Sequence, residues 1–528
     1  MKRLCLALAA VTACLALTCA RPQPKKAPAG ETLYRHLIGD PPTLDPTTTA
    51  EELGTRVEDM IFRPLIGIDR QRRFVPALAL SWAASSDGLV YDFRLDPKAR
   101  WEDGSPVTSS DVAYTIERVR DPKVPASNWR GGFEDVVAVE TPDAATVIVR
   151  FKRPDSQRLF DFTIPIVSAA AYARSSKMDR EPVGTGPYRL ESWITNQAIT
   201  LRRREDAPAS VYPFAKIVFR VISDNAVRYQ AGTRGDLDEF YVTRDQVTAA
   251  QKSPDFLAKN RLVKAPQFLV VAIVFNCRNP ILADARVRRG LTMAWPREDT
   301  ARRLYPPDGA SLVSGPYPPG MPENASDVRP PPYDPQASAR LFDEAGLKMG
   351  PDGVRRRGGR RASFEMPYAT ATPIYRNLAE ILREAYAKVG IELVTHPLDW
   401  ATYTQRFGEG GYDLALWADT PLPPKVDPHG SYHSSQVPPA GSNSGYYRNP
   451  EADRLMDAGA REMDETKRLE FYHRLHRLMV ADPPADFLWS AEQYWGISKR
   501  LQAVETWPSG LFHFLPGPLG WRPAAAPK

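Results

Sequence analysis

The sequence predicts an α/β protein built from more than one domain. Segments of strand-like alternation and segments of helical spacing follow one another along the chain. Its 51 prolines gather between these segments, which is typical of a loop-rich α/β fold. A chain of 528 residues has room for two to four domains, each with a core large enough to be stable.

An export signal is predicted at the start of the chain. Lys2 and Arg3 supply the positive end, and residues 4–17 supply an apolar stretch that is too short for a membrane span. Two cysteines follow small residues, as a lipoprotein signal peptidase requires. Cys14 fits the small-residue pattern better, whereas Cys19 is better placed because polar residues follow it at once.

We expect Cys19 to carry a lipid, with Cys14 as the alternative, so that the signal covers residues 1–19. Ordinary cleavage after Ala20, without a lipid, is the other possibility. Either cut leaves a tether over residues 20–29 that is rich in Pro, Lys and Ala and stays extended. The folded body is therefore expected on the periplasmic or cell-surface side of the bacterial cell membrane, held there by its lipid.

The composition excludes several classes of protein. No stretch after the signal reaches the roughly 18 apolar residues of a membrane-spanning helix. The formal net charge falls from +6 to +4 once Lys2 and Arg3 leave with the signal, too little for a protein whose main partner is nucleic acid. Residues 355–361 are basic but contain two adjacent glycines, which predicts an exposed turn between two strands. Cys277 is the only cysteine beyond the signal region, so no disulfide is expected in the folded body.

The elements of the first part of the chain follow from local pattern. A strand over residues 33–38 runs into a segment whose three prolines exclude a helix, and helical spacing follows over residues 51–62. Asp87-Gly88 before strict alternation predicts a hairpin turn that enters a strand. Ser109-Ser110-Asp111 is expected to cap a helix that runs through Ile116.

The middle of the chain is predicted to form strands with short helices between them. Residues 136–151 predict two strands, and Ser168 is expected to cap a short helix that ends at Ala173. The segment V-G-T-G-P-Y over residues 183–188 then sets a special backbone path, because glycine permits positive φ and proline fixes φ. Since a strand and not a helix follows these glycines, a phosphate cradle is not predicted.

The second half begins with a nearly continuous apolar run over residues 268–276, which predicts a strand buried on both faces. Asp284 is expected to open one helix, and Asp334 with Pro335 is expected to open another. The remaining predicted elements are helices over residues 375–389, 451–461 and 466–479 and strands over residues 391–398 and 412–417.

Six motifs, in order along the chain, resemble the family 5 extracytoplasmic solute-binding proteins, which are the peptide and nickel receptors of ABC importers. The motifs are P-x-x-L-D-P at residues 41–46, P-x-L-A-x-x-W through D-G-x-x-Y-x-F to D-G-x-P-V-T-x-x-D-V at 76–112, V-G-T-G-P-Y at 183–188, F-N at 275–276, D-x-R-V-R at 284–288, and Y-D-P with L-F-x-E-A-G at 333–346. The resemblance covers essentially the whole mature chain. One departure is Gly290, which stands where the family usually has alanine.

The resemblance implies a two-lobed periplasmic-binding-protein clamshell (type II, cluster C-like) with an extra inserted domain. The first lobe is expected in three pieces, the inserted domain in one piece and the second lobe in one piece: residues 30–53, 183–264 and 491–528; residues 54–182; and residues 265–490. The chain then crosses between lobes near Lys264 and near Ser490. Ligand is expected between the lobes, and closure on it is expected to let a monomer dock on the transmembrane subunits of an ABC permease.

Asp419 is the residue most strongly expected to hold a ligand. It follows a predicted buried strand that ends near Trp417, and a carboxylate there can bind a ligand ammonium. In the peptide-binding members an aspartate after this strand meets the α-amino group, although the proline-rich residues 420–425 depart from the family's loop. The other expected ligand contacts are Trp417, Asn443, Tyr446, Tyr447, Leu44, Asp45, Tyr188 and Asn276.

A metal site is the main competing chemistry. Asp427, His429 and His433 form a D-x-H-x-x-x-H pattern whose side chains are ligands for zinc or nickel. We expect no metal there, because a Pro/Gly loop does not provide the i,i+4 geometry of a helix. His473 and His476 are expected on an exposed helix face.

A binding protein without a cofactor is therefore predicted, and not an enzyme, since no nucleophile, zinc-hydrolase or nucleotide motif occurs. Short peptides are the expected ligand. A nickel chelate or another small polar solute is the alternative, followed by a metal-dependent enzyme and an envelope scaffold.

Overall fold

The computed structural model describes residues 31–49, 51–125, 129–370, 372–419, 425, 427–438, 441–507 and 510–524, and within these ranges four side chains are left undescribed: those of Gln267, Phe268, Pro373 and Asp419. Cys14 and Cys19 lie outside these ranges. Within them, no helix combines the length and the apolar character that crossing a bilayer requires.

Twenty-two strands are present in the described ranges. They are β1 (Thr32–Leu37), β2 (Ile66–Ile68), β3 (Phe74–Pro76), β4 (Ala79–Ala84), β5 (Val90–Leu95), β6 (Val136–Asp143), β7 (Thr146–Phe151), β8 (Tyr188–Ile194), β9 (Ala198–Arg203), β10 (Lys216–Val221), β11 (Glu239–Val242), β12 (Asn260–Phe275), β13 (Ala310–Leu312), β14 (Lys348–Met349), β15 (Arg355–Arg357), β16 (Arg360–Arg361), β17 (Ser363–Ala369), β18 (Glu392–Leu398), β19 (Leu414–Asp419), β20 (Ala485–Ser498), β21 (Leu501–Gln502) and β22 (Arg522–Pro523).

Fifteen α-helices accompany these strands in the same ranges. They are α1 (Glu52–Ile61), α2 (Ser109–Arg120), α3 (Arg130–Phe133), α4 (Ala169–Arg174), α5 (Asn225–Arg234), α6 (Arg244–Lys252), α7 (Pro254–Lys259), α8 (Ala285–Met293), α9 (Arg297–Leu304), α10 (Pro335–Glu344), α11 (Pro373–Lys388), α12 (Trp400–Gly408), α13 (His429–Tyr432), α14 (Pro450–Arg461) and α15 (Glu465–Ala481). Short 3₁₀ turns lie at Arg158–Thr163, Ser434–Gln436 and Gly517–Gly520.

The largest sheet is mixed and contains nine strands, in the order β19-β12-β20-β11-β1-β10-β9-β8, with β13 also paired to β20. β1 is parallel to β10 and β11, while β12 and β20 form a long antiparallel pair that reaches from Asn260↔Ser498 to Val274↔Ala485. This pair is long enough to pass through two separate hydrophobic cores. The α/β class predicted from the sequence is confirmed.

Three main units follow from the hydrophobic cores. The core of the first lobe gathers residues from β1, α1, β8–β10 and the C-terminal segment, including Trp495 and Trp521. The core of the inserted domain runs from Leu65 to Ile166 around the antiparallel sheet β4-β5-β7-β6. The second lobe has a core that runs from Val271 to Trp489 and a neighbouring one around α14 and α15.

The cores refine the expected domain boundaries. Helix α1 packs into the first lobe through Val57, Met60 and Ile61, although the sequence boundary at residue 54 assigns it to the inserted domain. We therefore propose that the inserted domain begins after Phe62 and ends before Val167, because both of these residues belong to the core of the first lobe.

Local predictions agree with the structure in most elements. Ser168 and Asp334 accept N–H bonds at the starts of α4 and α10, as expected. The basic run forms the hairpin β15-β16, with Gly358 and Gly359 in the left-handed region. Helix α2 differs in its cap: Thr108 is the N-cap residue, and Asp111 completes a capping box from inside the helix.

The glycines of V-G-T-G-P-Y serve a different purpose from the predicted one. Neither Gly184 nor Gly186 is among the residues with positive φ. Instead the segment lies against the last turn of α1, where the Gly186 N–H donates to the carbonyl of Ile61 at 2.6 Å. A Cβ atom on Gly184 would lie 2.0 Å from that same carbonyl oxygen. Close approach of two backbones is therefore the reason for glycine here.

Candidate functional site between the lobes

The lobes are joined where β12 and β20 pass from one core into the next. Their pairing is regular on both sides but shifts in register between Pro266 and Val270. Ala265 still packs in the first lobe, whereas Val270 already packs in the second. We therefore propose that this irregular stretch is the crossing between the lobes, for which the sequence predicts positions near Lys264 and near Ser490.

A cavity of about 410 Å³ opens at this crossing. It is lined by residues of the crossing strands, of the inserted domain, of the second lobe and of the C-terminal segment: Arg70, Gln71, Pro266, Ser311, Pro318, Pro319, Gly320, Ser490, Glu492, Thr506 and Trp507. Because every unit of the molecule contributes to its wall, the volume of this cavity depends on how the lobes are arranged.

Two polar groups of this cavity wall are buried without a partner. Glu492 Oε2 and the indole Nε1 of Trp507 have no hydrogen-bond partner in the described ranges. Burial raises the pKa of the Glu492 carboxyl, and nearby Lys264 opposes this shift. An unpaired acceptor and an unpaired donor are costly in a folded protein, and both atoms are closed off from solvent in this arrangement.

Asp419 lies at the level of this cavity in the sheet. Val270 pairs with Asp419 on one side and with Ser490 on the other, so Asp419 is two strands away from the cavity wall. At the usual strand spacing this separation is about 10 Å. The carboxylate of Asp419 lies outside the described part of the structure, so only its backbone position is defined. Trp417, on the same strand, is half-buried and stacks on Phe407 with ring centroids 4.2 Å apart.

An ionic contact joins the second lobe to the inserted domain. Lys425 Nζ lies 2.9 Å from Asp155 Oδ2 and 3.3 Å from Asp161 Oδ1. Burial lowers the pKa of Lys425, but the two aspartates outweigh burial and raise it. Burial raises the pKa of Asp155, but Lys425 and Arg158 outweigh it and hold that pKa below its ordinary value. The ammonium therefore remains charged between the two carboxyl groups.

The same turn of the inserted domain makes neutral contacts with the second lobe. Ser156 donates its N–H to the carbonyl of Ala460 at 2.7 Å and its hydroxyl to the carbonyl of Gly459 at 3.1 Å. Gln157 Nε2 donates to the Tyr472 hydroxyl at 3.1 Å. These bonds hold the inserted domain against the second lobe, an arrangement that we call closed.

The expected ligand contacts of the first lobe are buried in its framework. Leu44 is fully buried, and Tyr188 donates its hydroxyl to the carbonyl of Phe214 at 3.0 Å. Asp45 Oδ2 accepts from Arg118 of α2 at 2.9 Å. Asp45 thus ties the first lobe to the inserted domain, and its carboxylate is engaged inside the protein.

The expected contacts Asn276 and Asn443 in the second lobe are also engaged internally. Asn276 Nδ2 donates to the carbonyls of Gly410 and Tyr412, at 3.0 and 2.7 Å. Asn443 Nδ2 donates to carbonyls around it, among them that of Tyr447 at 2.9 Å, and its Oδ1 accepts the Tyr447 N–H. Both amides brace loops from within, and these bonds occupy their polar groups.

The two tyrosines expected beside them differ from each other. Tyr447 is buried and donates its hydroxyl to the carbonyl of Asp482 at 3.2 Å. Tyr446 is half-buried, with positive φ, and Arg278 lies over its ring at 3.8 Å from the centroid. The structure therefore brings Asn276, Asn443, Tyr446 and Tyr447 together at the end of β12 that is remote from the crossing, away from the cavity.

The structure corrects two predictions about histidines. His429–Tyr432 form the one-turn helix α13 and not a loop, and His433 is its C-cap residue, so His429 and His433 lie one helical turn apart. His476 is fully buried, and its imidazole bonds Ser314 Oγ and the Ala325 N–H, so it is not on an exposed face. His473 is half-buried.

A larger cavity of about 710 Å³ lies elsewhere, in the first lobe between helix α4 and strand β8, and Glu102 is its one lining residue from the inserted domain. Arg180 covers the ring of Trp193 there at 3.9 Å from the centroid. Because no residue of the second lobe lines it, lobe movement does not open or close it. We assign the functional site to the smaller cavity at the crossing.

The sequence reasoning missed Lys425, Asp155 and Glu492. Glu492 had a usable signal, because it is the one carboxylate in the strand stretch Phe487–Glu492, where every other residue except Ser490 is apolar. Lys425 and Asp155 are 270 positions apart in the chain, and neither occurs in a motif. Only the packing of the inserted domain on the second lobe brings them together.

Comparisons with known proteins agree with this architecture. A family model for bacterial extracellular solute-binding proteins, family 5, matches residues 73–438. A putative ABC transporter peptide-binding protein of Brucella ovis is 27% identical over 462 residues and 84% of each chain. The oligopeptide-binding protein AppA of Bacillus subtilis is 24% identical over 493 residues, 89% of this chain and 88% of that one.

Solved structures show the same fold. NikZ from Campylobacter jejuni, in complex with Ni(L-His), matches with a TM-score of 0.79 at 22% identity, over 93% of this chain and 99% of its own. CtaP from Listeria monocytogenes matches with a TM-score of 0.81 at 21% identity, over 94% and 99%. The two-lobed clamshell predicted from the sequence is confirmed.

Proposed function

This chain belongs to the bacterial extracellular solute-binding proteins of family 5, and from this membership we propose that it captures short peptides between its two lobes for an ABC importer. Its relatives are binding proteins and not enzymes, and the predicted absence of catalysis agrees with this. Peptides are the preferred ligand because the relatives in Brucella ovis and Bacillus subtilis are peptide-binding by name.

The observation that carries the proposal is the cavity at the crossing, with its unpaired Glu492 oxygen and unpaired Trp507 N–H. A peptide offers an ammonium group for a carboxylate and carbonyl oxygens for an N–H donor. Asp419 lies at the same level of the sheet and is the second candidate for the ammonium. A volume near 410 Å³ is at the small end of ligand sites, which suits a short peptide.

Delivery and location complete the proposal. The closed form presents one continuous surface across both lobes, which is the form that a permease can distinguish from the open form. We place the lipid on Cys19, with Cys14 as the alternative, and the folded body outside the cell membrane. The ligand then supplies the free energy that favours closure, by binding the closed form more tightly.

Calorimetric titration of the full chain with free and N-acetylated peptides of two to five residues tests this function. We expect free peptides to bind saturably and acetylation to weaken binding at least tenfold, because the ammonium is lost. Substitution of the carboxylate that contacts the ammonium, by Glu492→Gln or Asp419→Asn, should lower the affinity for free peptides to a similar degree. The same substitution should remove most of the difference in affinity between free and acetylated peptides. Glu409→Gln, at an exposed glutamate between α12 and β19, is the matched control and should leave binding unchanged.

Native mass spectrometry of the purified protein identifies the ligand class independently. Adducts at short-peptide masses support the proposal. A discrete adduct that contains nickel with an organic chelator assigns the cleft to a metal chelate instead. Equal affinity for free and acetylated peptides, with no effect of either carboxylate substitution, overturns the ammonium contact.

A further inference from the structure

A second cluster of ligand-type side chains lies in the second lobe, outside the cleft. His429 begins the one-turn helix α13 and His433 is its C-cap residue, whose N–H donates to the His429 carbonyl at 3.0 Å. Their imidazole rings stack with centroids 4.1 Å apart and planes 20° from parallel. Residues at i and i+4 lie on one face of a helix, so both rings point the same way. This is the spacing by which paired histidines on a helix bind one metal ion.

Helix α14 presents carboxylates to these rings. Asp457 Oδ1 lies 3.8 Å from His429 Nε2 and 3.7 Å from His433 Nε2. Asp453, one turn earlier on the same helix, has its Oδ1 3.8 Å from His433 Nε2. Two imidazoles at i,i+4 therefore face two carboxylates at i,i+4.

The distances are those of ligands around an ion. They exceed the 2.7–3.2 Å typical of a hydrogen bond, so the rings and carboxylates are not bonded to each other directly. A tetrahedral ion with bonds of about 2.0–2.1 Å holds its ligand atoms about 3.4 Å apart. One ligand atom each from His429, His433 and Asp457 lies within 4.8 Å of the others, so small side-chain rotations complete the geometry.

The neighbours of the cluster hold its members in position. Asp453 accepts the Ser434 N–H at 2.9 Å, and Asp457 Oδ2 is 3.3 Å from Arg461. Ser435 Oγ lies 2.7 Å from His433 Nδ1 and can accept its proton, which leaves Nε2 free to bind an ion. The Ser435 N–H, 3.1 Å from the same nitrogen, favours the other tautomer in the metal-free ring, so ion binding includes a tautomer change.

We propose that His429, His433 and Asp457, with Asp453 as the fourth ligand, bind one divalent transition-metal ion of the kind that accepts imidazole and carboxylate ligands, with Zn²⁺ as the reference ion. The ion ties α13 to α14. The last turn of helix α14 carries the Gly459 and Ala460 carbonyls, which accept the bonds from Ser156 of the inserted domain, so the site stiffens the surface on which the lobes close. It is independent of the ligand in the cleft.

The test is a Zn²⁺ titration of the full chain, with its thiols alkylated, against a chromophoric chelator. We expect one equivalent to bind, at least a 100-fold loss of affinity in His429→Ala/His433→Ala, and at least a tenfold loss in Asp457→Asn. The matched control is His473→Ala, because His473 lies half-buried on α15, outside the cluster, and bonds only the Pro322 carbonyl among its described contacts. This control should bind Zn²⁺ as the unmodified chain does.

Cobalt substitution gives a readout that depends on the ligands themselves. Bound Co²⁺ should show visible absorption typical of four nitrogen and oxygen ligands, and the double histidine variant should lack it. The partial exposure of both histidines keeps that variant folded, and Asp457→Asn tests the same site at a still more exposed position. Absence of saturable Zn²⁺ binding, or equal affinity in the double variant and the unmodified chain, overturns the site.

Discussion

The Lys425 ammonium lies 2.9 Å from the Asp155 carboxylate and joins the second lobe to the inserted domain. Both side chains are mostly buried in the closed arrangement, and Asp161 adds a second carboxyl 3.3 Å from the same ammonium. Opening the lobes separates these charges, so the contact stabilises the closed form relative to the open one. We call this contact a latch, because it joins the two units through residues outside the crossing strands.

We expect Lys425→Met to shift the lobes toward the open form. The substitution keeps the length of the side chain but removes the charge, and a charged hydrogen bond of this kind contributes about 1.5–3 kcal/mol. Ligand affinity should therefore fall about tenfold or more, and the radius of gyration measured by X-ray scattering should rise in the ligand-free protein. Lys177→Met is the control, because Lys177 is exposed and its ion pair with Glu181 is long, at 4.0 Å. If both variants scatter and bind alike, Lys425 is not a latch.

A buried ionic cluster in the first lobe gives the second prediction. Glu239 on β11 accepts from Arg35 at 3.0 Å and from Arg56 at 2.8 Å, and all three side chains are almost completely buried. Burial raises the pKa of Glu239, but Arg56 and Arg35 outweigh it and hold that pKa well below its ordinary value. The three aromatic rings of Phe219, Phe512 and Trp521 surround the Arg35 guanidinium.

Glu239→Gln should lower the free energy of unfolding by about 3–5 kcal/mol, because two buried guanidinium groups lose their counter-charge. Urea denaturation followed by tryptophan fluorescence measures this loss. Glu140→Gln provides the comparison, since Glu140 and Arg150 form an ion pair that is nearly half exposed, and its unfolding midpoint should stay unchanged. Equal midpoints for the two variants would show that the buried cluster does not stabilise the fold.

The sequence predicted structure well where the stabilising contacts join residues close together in the chain, and less well where they join distant residues. Local signals succeeded: Ser168 and Asp334 are N-caps because their side chains reach N–H groups only a few residues away, and Gly358 turns a hairpin by its own φ. The four-residue helix α13 was missed because it lies in a proline-rich stretch with weak helical pattern. Its position is set by bonds to α14, such as that from Ser434 to Asp453.

The candidate site was predicted less well than the fold, for a physical reason. Asn276 and Asn443 are the residue types that a ligand site uses, but the same donors and acceptors also brace loops, and here they bond backbone groups. Glu492 and Trp507 reach the cavity only because β20 and the C-terminal segment meet at the crossing. Sequence pattern identifies the strand but not which of its side chains remains unpaired.

The third prediction concerns the close contact between V-G-T-G-P-Y and helix α1. A Cβ at Gly184 would lie 2.0 Å from the carbonyl oxygen of Ile61, so Gly184→Ala must push two backbones apart. We expect a loss of about 3 kcal/mol or more in the free energy of unfolding, at the upper end of overpacking costs. Thermal unfolding measured by circular dichroism checks this.

Gly131→Ala is the matched control for that substitution. Gly131 lies in α3, and beyond its own helix backbone no described atom lies within 4 Å of the place that a Cβ would take, so the same change has space there. Alanine also favours a helix over glycine by up to about 1 kcal/mol, so this variant should be as stable as the unmodified chain or slightly more stable. A similar loss in both variants contradicts the close-approach explanation.

The fourth prediction is a pH dependence of stability that comes from His476. Burial lowers the pKa of this imidazole to about 4, while its ordinary value is 6.5. The folded form therefore keeps the ring neutral at pH values where the unfolded chain already binds a proton. Since the unfolded state takes up more protons between these two values, stability falls as the pH falls from 6.5 to about 4. The full effect over that interval is about 3 kcal/mol.

Urea unfolding at a series of pH values, for the unmodified chain and for His476→Gln, isolates this contribution. Carboxylates titrate alike in both proteins, so the difference in unfolding free energy between them reports the imidazole alone. At pH 7 the variant should be less stable, because it disturbs the bonds to Ser314 and Ala325, and the gap should narrow or reverse toward pH 4. His473→Gln should keep the pH dependence of the unmodified chain, since that histidine is less buried than His476 on the same helix. A gap that stays constant from pH 7 to pH 4 would mean that His476 titrates alike in the folded and unfolded states.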